Sequence, residues 1–428
     1  MTQRYDTYKD SGVQWLGEIP GHWECVRLNK LAYLKTGSTP KFFENKLFDE
    51  TIDWYTPSDF NEDFSLGKAR RRLNRKDFED CGLNYIPANS VLLIGIGATA
   101  GKVSCNTREC YSNQQITSII PNNRMISFYM MLYLRSIRNI ILKTAHYTTL
   151  PILNNLFLAG ISLPLPPLSE QRSIVSFLDT KCGKIDEWVT KKQKEVEHLQ
   201  ELKQRVIADA VTRGLNPHVK MKTTNIPWLK EIPEHWDVLR LKSLFYQRSE
   251  SYNPDETLQV LSLLKDVGVI PYDEKGSIGN KSKEDYRQYK VTRKGDIVMN
   301  SMNVIIGSVD ITSYDGYISP AYYALCAKDG VCTEYYNYIF HLKSVQKTMR
   351  SLANGILEIR LRISTTNLFG MYYPVPPLSE QKQIVAHITY KTSKIDKLIA
   401  NITKEIERIK EYKQRLISDV VTGQIKVC

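Results

Sequence analysis

The chain has 428 residues, 42% of them hydrophobic and 24% charged, with a formal net charge of +12 and a pI near 9.1. That length suits two or three domains of ordinary globular composition, and the positive balance suits a polyanionic partner. The composition excludes membrane spans, since runs such as Val91–Ile96 are far too short to cross a bilayer, and Met1–Asp6 lacks the apolar core of a signal peptide, so a cytoplasmic protein is expected.

Taken in order, the chain opens with Ile19-Pro20-Gly21-His22-Trp23, which returns as Ile232-Pro233-Glu234-His235-Trp236. Proline before and tryptophan after each histidine predict a packed turn rather than a metal or catalytic site. The body that follows, about 29–163, mixes strands and helices. Ser90–Ile96 and Ile116–Ile120 read as buried strands, and Phe128–Leu142 as one helix with Met131, Leu134, Ile137 and Ile141 inward and Arg135 and Arg138 on other faces. Pro164–Gly214 then begins Pro-Leu-Pro-Pro-Leu-Ser-Glu-Gln, and Pro374–Gly423 begins Pro-Val-Pro-Pro-Leu-Ser-Glu-Gln. Ser169 and Ser379 are placed to cap the long helices that follow.

The second body, about 242–373, keeps the outline of the first. Lys294–Met299 reads as a turn and a strand, Gly307-Ser308-Val309 stands where Gly101-Lys102-Val103 stands, and Tyr335–Met349 is the counterpart helix. An internal repeat of this kind means two copies of one unit. In the long helices, Leu178, Ile185, Val189, Val196, Leu199 and Val206 match Ile388, Ile395, Ile399, Ile406, Ile409 and Leu416 at steps of four and three, with Ile402 aligned to Lys192. This is a coiled-coil seam, and two such helices in one chain are expected to pair with each other. At 1.5 Å per residue, about 40 residues span roughly 60 Å. The expected fold is α+β: two similar α+β domains separated by two long antiparallel coiled-coil helices, with a pseudo-two-fold internal repeat. The expected division is 1–163, 164–214, 215–373 and 374–428.

Catalytic motifs fail inspection. In Gly95–Val103, five residues separate Gly95 from Gly101 where a P-loop has four, and Val103 replaces the magnesium-binding hydroxyl. The eight cysteines show no Cys-x2-Cys and no zinc-finger spacing, so reduced, mostly buried thiols and no metal site are expected. Two copied bodies at a fixed separation instead suit an extended, repetitive ligand such as duplex DNA. Residues 29–163 hold 16 Lys and Arg against 11 Asp and Glu. The densest basic stretch contains Arg70, Arg71, Arg72, Arg75 and Lys76, and Thr99 and Lys102 lie on a glycine-rich loop suited to a close approach to DNA. In the second body the candidates are Lys281, Lys283, Arg287, Lys290 and Arg293, diluted by Glu284 and Asp285. Lysine suits phosphates; arginine also suits guanine O6 and N7.

The duplicated Pro-Pro-Leu-Ser-Glu-Gln with its long helix, and the duplicated Ile-Pro-x-His-Trp, together resemble the specificity subunit of a Type I restriction-modification system over essentially the full chain. The resemblance implies two target-recognition domains, each reading one part of a split double-stranded DNA site. It implies helices that space them and dock two methyltransferase subunits, which carry S-adenosylmethionine, with restriction subunits that use ATP and magnesium joining that core. This chain itself would bind no cofactor and catalyse nothing. Asn113-Gln114-Gln115 resembles a segment common in such domains, where the second body has Ser319-Pro320-Ala321. The alternative is a non-catalytic protein-interaction scaffold with an incidental basic surface.

Overall fold

The computed structural model describes residues 3–39, 51–74, 83–145, 151–276, 287–302, 307–353 and 361–427. Its backbone divides into two compact units. The first joins Met1–Gln193 to Thr403–Cys428; the second is Lys194–Ile402. Each unit therefore holds the beginning of one long helix and the end of the other, and the division runs through the helices rather than around them.

In the first unit, Ala32–Thr36, Ile116–Pro121, Val91–Ile94 and Val103–Cys105 form a four-stranded antiparallel sheet in that spatial order. Every residue of Val91–Ile94 is buried, which is why the run is continuously apolar rather than alternating. A three-stranded sheet lies beside it: Arg71–Asn74 pairs with Thr51–Tyr55, which runs parallel to Cys110–Ser112. The second unit repeats the plan. Phe245–Gln247, Tyr322–Ala327, Ile297–Asn300 and Val309–Ile311 form the antiparallel sheet. Gly268–Pro271, Gln259–Leu264 and Gly316–Ile318 form the mixed one, with Lys290–Thr292 added at its edge. The fold is α+β in both copies.

Two expectations need correction. Phe128–Leu142 is two helices, Ser127–Ser136 and Arg138–Thr144, because Ile137 leaves helical geometry at ψ 8°. Its counterpart breaks as well, into Thr333–Phe340 and Lys343–Ser351. The apolar spacing survives such a kink, so it does not reveal it. The long helices are Leu168–Arg213 and Leu378–Val421. Ser169 and Ser379 thus sit inside the first turn and are not the caps.

The residue after each serine explains the repeat. Glu170 accepts the Trp23 indole N–H at 2.7 Å and meets His22 Nε2 at 2.6 Å. Glu380 accepts from Trp236 at 3.1 Å and meets His235 at 2.8 Å. Gln171 accepts from the Ile126 backbone and donates to the Pro166 and Arg124 carbonyls. Gln381 accepts from Cys332 and donates to Pro376. The two duplicated motifs are thus the halves of one joint, fastening the start of each long helix to its body. His22 and His235 are turn residues, as their neighbours suggest.

The helix pair closes each core. In the first unit, Ile174 and Leu178 cluster with Leu416, Val420 and Val421 around Trp23; in the second, Ile207, Ala210 and Val211 cluster with Ile384 and Ile388 around Trp236. Low numbers on one helix meet high numbers on the other, so the helices run antiparallel within each unit. Tyr129 donates to the Val421 carbonyl at 2.9 Å, and Tyr335 to the Val211 carbonyl at 2.8 Å. These bonds satisfy carbonyls that a helix end leaves without partners.

The seam positions follow the same pattern. Leu178, Val189, Ile388, Ile395, Ile402, Ile406 and Leu416 are buried, and Ile185, Val196, Leu199, Val206, Ile399 and Ile409 are half-buried. Lys203 and Lys413, also on the seam, reach across to Asp396 and Asp186 at 2.7 Å. Among the described cysteines, Cys105, Cys110, Cys326 and Cys332 are buried and Cys25 and Cys182 half-buried, all as free thiols; Cys81 and Cys428 lie outside the described residues. Among the described residues, no helix is long and apolar enough to cross a membrane.

Candidate nucleic-acid interface

Arg70, Arg71 and Arg72 are exposed side by side in the first unit. Arg71 and Arg72 begin the strand Arg71–Asn74, which among the described residues pairs with Thr51–Tyr55 alone, and Arg70 immediately precedes it. Arg70 is 73% exposed, with its guanidinium 3.9 Å from the buried Asp59 carboxylate. Arg72 donates to Asp53 at 2.8 Å and to the Thr51 carbonyl at 3.2 Å, yet stays 56% exposed. Arg71 lies over the Trp54 ring at 5.7 Å. Asp53 orients Arg72 without covering it, and so exposed a pair is worth little, so that guanidinium can exchange it for a phosphate, while Arg70 stays open to solvent beside the buried Asp59.

The Trp54 ring links this strand to a cluster of loops. Its indole N–H donates to the Ser38 carbonyl at 3.2 Å, and the neighbouring Thr39 hydroxyl bonds Gln114. Gly37 packs so closely on this turn that a Cβ would stand 2.2 Å from the Asn113 carbonyl oxygen, so only glycine fits there. Gly95 donates to the Gln115 carbonyl at 2.7 Å, and Leu153 donates to the Gly95 carbonyl at 2.7 Å. The ends of four segments, at 37–39, 95–97, 113–115 and 151–153, therefore meet beside the arginine strand. The sequence shows the Asn-Gln-Gln turn and the arginines separately; their adjacency depends on pairing such as Trp54 opposite Tyr111, which spacing does not disclose.

The remaining candidates are placed less openly. Lys102 donates to the Asn61 carbonyl at 3.2 Å and lies over Phe64 at 5.7 Å, while Thr99 is half-buried in the same glycine-rich turn. In the second unit Lys290 donates to the Tyr322 carbonyl at 2.9 Å, and burial holds its ammonium below the usual lysine range. Arg293 is paired with Glu256, Glu250 and Asp315, and its hydrogen bonds to Glu256 and Glu250 hold its guanidinium above the usual arginine range. Lys290 and Arg293 are thus engaged within the body. Arg287 is exposed. Arg75, Lys76, Lys281 and Lys283 lie outside the described residues. The strand of the second unit that corresponds to the arginine strand is Gly268–Pro271, which carries no basic side chain. Among the described residues, no three His, Cys, Asp or Glu side chains are grouped to hold a metal ion.

Comparison with known proteins agrees with this architecture. The family model described as the Type I restriction modification DNA specificity domain matches residues 20–198 and again 233–408. The specificity subunit of Type I restriction enzyme MjaVIII from Methanocaldococcus jannaschii is 24% identical over 96% of this chain and 94% of its own length. That of EcoBI from Escherichia coli is 25% identical over 61% of this chain and 58% of its own. A chain from a structural study of complex assembly and conformational transition in a type I R-M system matches with a TM-score of 0.70 at 16% identity, covering 94% of this chain and 98% of that one. The crystal structure of the HsdS subunit from Thermoanaerobacter tengcongensis matches at 0.54, with 16% identity and coverage of 95% and 98%. With the family model matched twice, once in each copy of the repeat, the chain belongs to the Type I restriction-modification specificity subunits, the non-catalytic members that give such a system its DNA specificity.

Proposed function

We propose that each unit of this chain reads one part of a split double-stranded DNA site, and that the paired helices set the spacing between the parts. The observation that carries this reading is a shared backbone frame with unlike side chains. Gly95 N–H to Gln115 O and Leu153 N–H to Gly95 O recur as Ser301 N–H to Ala321 O and Ile363 N–H to Ser301 O. The frames match, as two readers of one ligand class should; the exposed chemistry differs, as two different sequences require. The working division remains 1–163 and 215–373 for the readers and 164–214 and 374–428 for the helices. The near-identical helix starts suit two copies of one partner, a methyltransferase subunit carrying S-adenosylmethionine. Restriction subunits bringing ATP and magnesium join that assembly in the cytoplasm.

The first unit contributes phosphate contacts through Arg70, Arg71 and Arg72. The triple substitution to Ala in the assembled methyltransferase complex should weaken DNA binding while leaving assembly intact. Each lost phosphate contact should lower the log–log salt slope by about 0.9. An unaltered affinity and slope would remove this strand from the interface.

A further inference from the structure

The amide of Gln115 has an orientation that the backbone dictates. The Gln115 backbone N–H donates to Asn113 Oδ1 at 3.2 Å. That identifies the oxygen end of the Asn113 amide, leaving its Nδ2 to donate to Gln115 Oε1 at 2.9 Å. Gln115 Oε1 is therefore turned inward, and its Nε2 is the end presented outward. Nε2 sits against Gly97, 3.7 Å from where a Cβ at that position would stand, and has no hydrogen-bond partner among the described residues. Asn113 is buried, so the support behind Gln115 does not rearrange with solvent. The result is a pre-oriented N–H donor on a loop cluster beside the arginine strand.

The second unit places different chemistry on the same frame. Tyr322 N–H donates to the Ser319 carbonyl as Ile116 N–H donates to the Asn113 carbonyl. This register sets Pro320 opposite Gln114 and Ala321 opposite Gln115. Ser301 stands at the place of Gly95, and Met302 after it is exposed. Where the first unit offers an amide donor, the second offers methyl and methylene groups.

We infer that Gln115 is a specificity-determining residue of the first unit, donating through Nε2 to an acceptor on a base edge, and that Ala321 occupies the corresponding reading position in the second unit. In the major groove such acceptors are guanine O6 and N7, adenine N7 and thymine O4, whereas an apolar contact suits the thymine methyl. This rests on the reading that the chain's two units recognise DNA.

The test uses the full chain assembled with its methyltransferase subunits and S-adenosylmethionine, acting on a duplex library randomised around the wild-type site, with modified sequences read out. Gln115→Glu keeps the inward oxygen and replaces the outward donor by an acceptor. It should cost tenfold to a hundredfold, on the order expected of a good base contact, in discrimination at one base pair of one half-site, and move the preference there toward a base offering an amino donor. Gln115→Ala should relax the same base pair without a new preference. Ala321→Gln should change the other half-site alone. An unchanged site with both Gln115 variants, or an equal loss at every sequence, overturns the inference, the second because it marks a phosphate contact or a damaged fold. A wild-type complex that modifies no defined sequence would instead sink the DNA-reading function itself. A defined wild-type site indifferent to Gln115 sinks only the assignment made here.

Discussion

Trp23 and Trp236 are wholly buried, and each has its indole N–H satisfied by a glutamate at the start of a long helix. Removing the acceptor while leaving a buried donor is the costly way to lose a hydrogen bond. Glu170→Ala should therefore destabilise the first unit by about 1–3 kcal/mol, and Glu170→Gln by less, since it retains an acceptor; chemical denaturation followed by tryptophan fluorescence measures both. Gly423 has φ +78°, and a Cβ there would stand 2.3 Å from Pro20 Cδ and 3.1 Å from the Trp23 ring. Gly12 has φ +71° with nothing within 4 Å. Gly12→Ala should cost about 1 kcal/mol from backbone strain alone, and Gly423→Ala clearly more. Equal losses would show that the contact with Pro20 yields. The sequence displays His22 and Trp23 as a repeated pair, yet their partner Glu170 lies 148 residues away, a distance at which no local pattern informs.

At the scale of elements, the long helices were the most legible part. Apolar residues at steps of four and three over this length specify a seam whatever surrounds them. Apolar burial holds the pair, while the charged pairs on it do little for stability. Leu178→Ala or Ile406→Ala should cost about 2–5 kcal/mol in thermal or denaturant unfolding. The Lys413–Asp186 bridge has side chains 27% and 60% exposed. A double-mutant cycle on it should return a coupling of only about 0.2–1 kcal/mol. A coupling of several kcal/mol would mean that the bridge, rather than the seam, fixes the pair. The short helices and the caps were less legible. Ile137 breaks a helix without disturbing its apolar spacing, and Ser169 looks like a cap although the proline run lets the helix start at Leu168.

For the whole molecule, the consequence lies in how the long helices are shared. Each begins in one unit and ends in the other, so their length is common to both. On the proposed function, inserting seven residues in each helix keeps the seam in phase and should lengthen the unread spacer of the DNA site while leaving both half-sites unchanged. Inserting four in each, as a single turn, is a stutter that unwinds the pair locally and should lengthen the spacer at some cost in stability. Mapping methylated sites for the two variants checks this, and an unaltered spacer in both would refute the helices as a ruler.

Sequence by itself determined the repeat, the α+β class, the paired helices and the family, because these rest on periodicity and on motifs written twice. Tertiary structure alone decided which charges face solvent. Arg70 and Arg72 stay exposed at the arginine strand, whereas Arg293, as basic in the sequence, is paired with Glu250, Glu256 and Asp315, and Lys102 turns in to the Asn61 carbonyl. It also brought the Asn113–Gln115 turn beside the arginine strand, through Trp54, Ser38 and the Thr39 bond to Gln114. The reason is physical: a charge's availability depends on neighbours that strand pairing brings from far along the chain, and a list of residue types does not contain that pairing.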